Sequence, residues 1–314
     1  MFSVGMMILG AAVAFGQNYP NKPVRLVTAE AGGGADLVAR LIAQGLSGPL
    51  GQQVVVDNRG AAGGAIAAEI VAKALPDGYT LLHYGSNIWL LPFLRNNLLY
   101  DPVRDFAPIT LAVRAPNMIV VHPSLPVKSV TELIALAKAR PGTLSYASGG
   151  TGSTPHLAAE LFKAMANVDI VRIPYKGGGA ALNDLLGGQV PLMFPVAAAA
   201  LPHVKSGRLR ALAVTSAQPT ELAPGLPTVA ASGLPGYESV SIQGLFAPAG
   251  TPATLINRLN QEIVRALNGE NLKDKFFSAG IETIGSSPQV FAATVKSEMA
   301  RLGKVIKDAG IRDE

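Results

Sequence analysis

Four short segments combine glycine with hydroxyl, amide or carboxylate side chains, and they are where this chain could do chemistry. They span residues 29–36, 85–87, 148–156 and 174–181. Glycine lets a ligand approach backbone N–H groups closely, and the N-terminus of a helix adds unpaired N–H donors and the positive end of its dipole. Together the segments favour a cleft for a small anion, whereas any one alone could be a tight strand-to-helix connection.

The groups that would hold such an anion are uncharged. No Arg or Lys lies in residues 29–36 or 148–156, which excludes a cationic clamp from those two loops. We expect backbone N–H groups and short polar side chains to bind the anion. The main side chains are the hydroxyl groups of Ser148, Thr151, Ser153 and Thr154, assisted by Ser86 and Asn87. Asp36 would repel a carboxylate, so it should act through water, or cap its helix and fix the loop.

A hydrolytic centre is the alternative for the same residues. Ser153, His156 and Asp36 could form a triad, because triads do not depend on order along the chain. A long chain offers many such trios, and the simpler roles are a structural or hydrogen-bonding histidine and a helix-capping aspartate. The sequence has no Gly-x-Ser-x-Gly elbow and no cysteine, and its four histidines are scattered. Neither a thiol nor a metal centre is therefore expected.

Nucleotides and nucleic acids are disfavoured as ligands. Residues 149–154 read Gly-Gly-Thr-Gly-Ser-Thr, which lacks the lysine of a P-loop and the last glycine of a dinucleotide fingerprint. The net charge is +5, but the basic residues are scattered, and only 6% of residues are aromatic. No basic, base-stacking surface is indicated, and no cofactor is expected.

The elements that must position these segments alternate between strand and helix. This alternation predicts βαβ units, with ligands bound at the carboxyl ends of the strands. Gly-Gly-Gly-Ala occurs at residues 32–35 and again at 177–180, each time after a strand and before a helix. With 314 residues, of which 49% are hydrophobic, the chain can build two lobes. We expect two similar α/β lobes, each with a mainly parallel sheet.

The N-terminal residues indicate export. Residues 2–15 are apolar and small but too few to span a bilayer, which is typical of a signal peptide. Ala14-Phe15-Gly16 gives a small-x-small cleavage pattern, so the mature chain would begin at Gln17. No Lys or Arg precedes the apolar stretch, and the alternative is a buried N-terminal helix.

Ordered blocks along the whole chain carry a resemblance to a known family. They include Pro76-Asp77-Gly78-Tyr79-Thr80 in the first half and Pro174-Tyr175-Lys176-Gly177 in the second. The other blocks lie at residues 19–25, 50–59, 100–106, 146–148, 152–158 and 244–252. With these, the chain resembles the tripartite tricarboxylate transporter receptor family, also called the Bug (Bordetella uptake gene) receptors.

The resemblance implies a periplasmic solute-binding receptor that is not an enzyme and has a type II Venus-flytrap fold. The implied division is a signal peptide at 1–16, lobe 1 at 17–120 and 246–314, and lobe 2 at 121–245. The chain would cross between the lobes near residues 118–125 and 241–248. Membrane transporter subunits of the tripartite type are the implied partners, and we expect a monomer.

The resemblance also implies a carboxylate held between two loops, by backbone N–H groups, hydroxyls and bridging waters. The expected ligand contacts are Ala29, Gly33, Gly34, Asp36, Ser86, Asn87, Ser148, Gly150, Thr151, Gly152, Ser153, Thr154, His156, Tyr175, Gly177 and Pro195.

Two departures from the family pattern bear on the ligand. Ala29 stands where many relatives carry an aromatic residue, which would leave room for a bulkier ligand. Pro195 stands where many have an aspartate that could bind an ammonium group. A plain monocarboxylate or dicarboxylate, aromatic acids included, is therefore expected over an amino acid. Two other classes stay open: a hydrolase or transferase acting on a small carboxylated substrate, and the effector module of a transcription factor.

Overall fold

A computed structural model of the chain describes residues 19–32 and 34–312. The predicted signal peptide and the predicted contact Gly33 lie outside the described residues. The strands are β1 (Val24–Thr28), β2 (Val54–Asn58), β3 (Thr80–Gly85), β4 (Phe106–Pro116), β5 (Met118–Val121), β6 (Ser145–Ser148), β7 (Val171–Pro174), β8 (Leu192–Met193), β9 (Arg210–Val214), β10 (Val240–Pro248) and β11 (Glu282–Thr283). The helices are α1 (Gly34–Leu50), α2 (Ala65–Ala72), α3 (Asn87–Leu94), α4 (Val130–Ala139), α5 (Thr154–Ala166), α6 (Gly178–Leu186), α7 (Ala197–Lys205), α8 (Ala253–Asn268), α9 (Glu270–Ser278) and α10 (Pro288–Asp308).

The strands form two sheets, which confirms the predicted two-lobed α/β fold. The first sheet has the order β2-β1-β3-β10-β4-β11, and the second has the order β7-β6-β8-β5-β9. We call the part built on the first sheet lobe 1 and the part built on the second lobe 2. The described helices from α1 to α3 and from α8 to α10 flank the first sheet.

The sheets are mixed, and the prediction of mainly parallel sheets was wrong in this respect. In lobe 1, β1 is parallel to β2 and β3, whereas β10 is antiparallel to β3 and β4. In lobe 2, β6 is parallel to β7 and β8, whereas β5 is antiparallel to β8 and β9. The cause is that the chain leaves and re-enters lobe 1 along β4 and β10, which run beside each other in opposite directions without a crossover helix.

The two passages between lobes lie side by side. Strand β4 ends at Pro116 and β5 begins at Met118, so Asn117 joins the sheets. On the return, β10 begins at Val240, which pairs with Pro116. Residues 118–120, grouped with lobe 1 by the sequence, therefore lie in the second sheet, and residues 240–245 pair within the first.

Each sheet is covered by helices on both faces. Because strand side chains alternate, Leu26 of β1 packs toward α1 and α8, whereas its neighbour Val27 packs on the opposite face. That opposite face holds an aromatic cluster in which Trp89 and Phe291 pack against Phe246, with ring centroids 5.9 and 4.6 Å from it. Fully burying each such side chain contributes about 1.5–3 kcal/mol, which fixes the strand ends that carry the glycine segments.

Within the described ranges, no helix combines the length and the apolar character needed to cross a bilayer.

Candidate ligand-binding cleft

A cleft of about 370 Å³ opens where the strands of lobe 1 meet the N-terminus of α5. Lobe 1 contributes the carboxyl ends of β1 and β3 and the first half of β10, and lobe 2 contributes Thr154. Four of the predicted contacts line it: Ala29, Ser86, Asn87 and Thr154. The remaining lining residues are Glu30, Ala35, Gly60, Gly63, Tyr84, Gly85, Ser241 and Gln243. The cleft therefore lies at the carboxyl ends of the strands, as the sequence predicts.

Asp36 fixes the first glycine loop and is not among the residues that line the cleft. Its carboxylate accepts hydrogen bonds from the backbone N–H of Gly32 at 2.9 Å and from Arg40 Nε at 3.0 Å. These bonds lower the pKa of Asp36 to about 2, the hydrogen bond from Arg40 contributing most. The loop-fixing role expected for Asp36 agrees with this geometry. Arg40, on the next turn of α1, is the cation that pairs with it.

Asn58 completes this loop, and the sequence analysis missed it. Its side-chain amide donates to Asp36 Oδ1 at 2.9 Å and to the carbonyl of Ala29 at 2.8 Å. The signal was present, because Asn58 ends β2, which pairs with β1. A polar residue at the carboxyl end of a strand beside the glycine loop could have been expected to reach it. At Gly34, the first residue of α1, an added Cβ would meet no atom within 4 Å, so the helix N-terminus is open.

Arg172 of β7 holds the second glycine loop, residues 148–156, by three hydrogen bonds. Its guanidinium donates to Ser148 Oγ at 2.7 Å, to the carbonyl of Gly149 at 2.9 Å and to Thr151 Oγ1 at 3.3 Å. The exclusion of cations within the two loops stands, but this cation comes from the neighbouring strand. Sequence reasoning missed it because the parallel pairing of β6 with β7 is long-range. Ser148 Oγ also donates a long hydrogen bond of 3.4 Å to the carbonyl of Gly149, whereas Thr151 Oγ1 accepts from Arg172 and can still donate its own proton to an anion.

His156 ties the same loop together as a neutral residue. Its Nδ1 accepts a hydrogen bond from the backbone N–H of Gly152 at 3.1 Å. Burial, and next the positive charge of Arg172, lower the pKa of His156 to about 4. At neutral pH the imidazole is therefore uncharged, with its proton on Nε2. This is the hydrogen-bonding role expected from the sequence.

The imagined triad does not form. His156 Nδ1 bonds to Gly152 and not to Ser153, and Asp36 in lobe 1 is already bound by Arg40 and Asn58. Ser153 Oγ is buried without a hydrogen-bond partner among the described residues. Its hydroxyl, which precedes α5 and lies next to the positive end of the helix dipole, therefore has an unused capacity for a hydrogen bond.

The hydroxyl of Ser86 donates a hydrogen bond to a buried carboxylate. Ser86 Oγ donates to Glu298 Oε2 at 2.9 Å, and Trp89 Nε1 donates to the same oxygen at 3.0 Å. Burial raises the pKa of Glu298 despite these two bonds. Asn87 keeps only a long contact, at 3.5 Å, from its amide to the carbonyl of Gly63. Of the two assisting residues, the structure leaves Asn87 the freer.

Tyr175, Gly177 and Pro195 do not line the cleft, and neither do the other predicted contacts that the structure describes: Gly34, Asp36, Ser148, Gly150, Thr151, Gly152, Ser153 and His156. Tyr175 donates its backbone N–H to Ser148 and its hydroxyl to Asp184, at 2.9 and 2.7 Å. Gly177 precedes α6 beside the second loop, and the buried Pro195 accepts a hydrogen bond from Met118 at the passage between lobes. The segment at residues 174–181 thus packs against the second loop without lining the cleft.

Gly152 brings the two lobes into contact at the edge of the cleft. Its φ is +74°, and an added Cβ would lie 2.5 Å from Leu94 Cδ1 of α3. At Gly150, two residues earlier, an added Cβ would meet no atom within 4 Å. One side of the loop therefore packs against lobe 1, while its tip at Gly150 has free space around it.

Comparison with known proteins assigns the chain to a family. Residues 38–311 match the model described as the tripartite tricarboxylate transporter family receptor. The chain belongs to that family. A solved member, Rpa4515 of Rhodopseudomonas palustris with adipate, is 41% identical, with a TM-score of 0.79 over 94% of this chain and 99% of that one. The resemblance found in the sequence is thereby confirmed.

Two further solved receptors extend the likeness. The periplasmic binding protein BugD is 34% identical, with a TM-score of 0.76 over 94% of this chain and all (100%) of that one. MatC of Rhodopseudomonas palustris with bound malate is 31% identical, with a TM-score of 0.75 over 92% of this chain and 100% of that one. Members of this family are periplasmic solute-binding receptors, a class of binding proteins and not of enzymes.

Proposed function

We propose that this receptor captures a small carboxylate between its lobes, with the carboxylate at the N-terminus of α5. The observation that carries the proposal is the free, buried hydroxyl of Ser153 beside a loop held by Arg172. The solved relatives Rpa4515 and MatC bind adipate and malate, both of which are dicarboxylates. A carboxylate is the anion that such hydroxyl and N–H donors fit.

The charge at this end of the cleft supports the proposal. The guanidinium of Arg172 lies under the loop, and the dipoles of α5 and α6 point their positive ends at it. His156 is neutral, so its Nε2–H adds a donor without a charge. We propose the open backbone at Gly150 and the hydroxyls of Ser148, Thr151, Ser153 and Thr154 as the carboxylate contacts, with Ala29, Gly34 and Asn87 facing them from lobe 1.

The cellular role follows from the family. We propose export to the periplasm with removal of residues 1–16, and action as a monomer that presents its ligand to membrane subunits of a tripartite transporter. In this proposal the chain passes from lobe 1 to lobe 2 at Asn117 and returns to lobe 1 just before Val240. Catalysis plays no part in the proposal.

Calorimetric titration with malate, adipate and related acids tests the proposal. A receptor should bind at least one acid, and Ser153→Ala should weaken that binding about tenfold or more, because hydrogen bonds to charged groups contribute about 1.5–3 kcal/mol. Ser206→Ala is the matched control, since Ser206 is exposed on lobe 2, where it bonds only to His203. Binding of no small carboxylate, or equal losses in both variants, would contradict the assignment.

A further inference from the structure

Glu30 places a free negative charge in the cleft. Of the described residues that line the cleft, it alone carries a charge at neutral pH. Gly60 packs beneath it so closely that an added Cβ there would lie 2.4 Å from Glu30 Cβ and 2.5 Å from its Oε2. On the other side is Tyr84, whose pKa is raised to about 12 by burial and, to a smaller extent, by the Glu30 carboxylate. The carboxylate is thus held at the lobe 1 wall.

No cation of lobe 1 is seen to neutralise it. No ion pair or hydrogen bond of the Glu30 side chain is found among the described residues. Two basic residues on this side are already engaged: Arg40 pairs with Asp36 at 3.0 Å, and Arg59 pairs with Asp57 at 3.0 Å. Glu30 is exposed to solvent, and its carboxylate stands in the wall of the cleft.

Gln243 adds a second unpaired acceptor to the same wall. It lies on β10, and its Oε1 is buried with no donor among the residues that the structure describes. Its Cγ lies 3.5 Å from the position that a Cβ on Gly85 would take, so the side chain lies over the end of β3. A buried acceptor without a partner costs free energy, which a donor on a ligand would recover.

The cleft is therefore polarised between its two walls. On the lobe 2 side, Arg172 and the N-termini of α5 and α6 adjoin the loop that leads to Thr154 in the cleft wall, whereas the lobe 1 wall has Glu30 and the Gln243 oxygen. We propose that the ligand is a carboxylate with a positively charged, hydrogen-bond-donating group at its far end, bound by Glu30 and Gln243. This rests on the proposed function and names the substrate class of the same site: an acid with a terminal ammonium group.

Acids with a terminal ammonium group differ from the α-amino acids that Pro195 disfavours. An α-amino acid carries its ammonium next to the carboxylate, and the family resemblance implies that Pro195 stands where many relatives have an aspartate that could bind that group. A terminal ammonium lies at the opposite end, where Glu30 provides the counter-charge. A dicarboxylate such as adipate would instead bring its second carboxylate toward Glu30, where like charges repel.

Three series of straight-chain acids test the proposal by calorimetry. One series is succinate, glutarate and adipate; the second replaces one carboxylate with a terminal ammonium at the same chain lengths; the third ends in a methyl group. Wild-type protein should bind the best ammonium-terminated acid more tightly than the dicarboxylate of equal length. Glu30→Gln should weaken that binding about tenfold or more while changing the methyl-terminated acids about twofold or less.

Two further variants make the result decisive. Glu30→Lys should reverse the preference toward the dicarboxylates, because it reverses the charge of the wall. Glu270→Gln, a matched loss of one exposed carboxylate at the start of α9, should leave the preference unchanged. Tighter binding of dicarboxylates, with no change of preference in either Glu30 variant, would overturn this inference and leave the proposed function standing. If no acid of any series binds, the proposed function fails, and the inference fails with it.

Discussion

At the scale of single residues, Arg172 contributes more to the cleft than any hydroxyl predicted from the sequence. It makes three hydrogen bonds to the second loop, to two side chains and one carbonyl. A planar guanidinium can direct these bonds at fixed angles, which a lysine ammonium cannot.

Replacing Arg172 by lysine separates geometry from charge. We expect Arg172→Lys to keep the fold but to weaken carboxylate binding about tenfold, because the loop loses its directed hydrogen bonds. Arg140→Lys is the control, since Arg140 is exposed at the end of α4. Calorimetry on both variants checks this. Wild-type affinity in Arg172→Lys would show that Arg172 is a structural residue without influence on the site.

At the scale of elements, the two glycines of the second loop should differ sharply. Gly152→Ala forces a left-handed φ on a residue with a side chain, at a cost of about 1–2 kcal/mol, and its methyl group would overlap Leu94. Gly150→Ala meets open space. We expect urea unfolding to show a clear loss of stability for Gly152→Ala and little change for Gly150→Ala. Equal losses would contradict the described loop conformation.

Local patterns in the sequence predict some elements of the fold and site, but not the contacts that depend on sheet pairing. The glycine segments, the alternation of strand and helix and the loop-fixing role of Asp36 follow from local patterns, and the structure agrees with each. Asn58 and Arg172 were missed because their partners lie 22 and at least 21 residues away along the chain and become neighbours only through sheet pairing. The mixed sheets were missed because β10 returns from lobe 2 to insert between β3 and β4.

At the scale of the whole molecule, the lobes also touch behind the cleft. The order of the first sheet puts β10 and β4 between the cleft strands and β11. On that far side Thr220 of lobe 2 donates to Glu282 of β11, which also binds Arg114 at 2.5 Å. There too an added Cβ on Gly280 would lie 2.4 Å from Ala198 Cβ of α7. A rotation about β4 and β10 that closes the cleft must therefore separate these groups.

A larger side chain on α7 where it packs against Gly280, behind β4 and β10, should favour closure of the cleft. We expect Ala198→Leu to push α7 away from Gly280 and to tighten ligand binding, by about threefold or more, because it raises the population of the closed form. Ala199→Leu is the control, since the neighbouring Ala199 is also exposed. Calorimetry on the two variants tests this. Weaker binding in Ala198→Leu would mean that the rear contact does not oppose closure.

The account as a whole requires that a small carboxylate draw the two lobes together. Small-angle X-ray scattering of the wild-type protein, with and without a saturating amount of the tightest-binding acid, measures this directly. A smaller radius of gyration with the acid, and a smaller change for Ser153→Ala at the same acid concentration, is the predicted result. An unchanged radius of gyration at saturation would contradict capture by closure of the cleft.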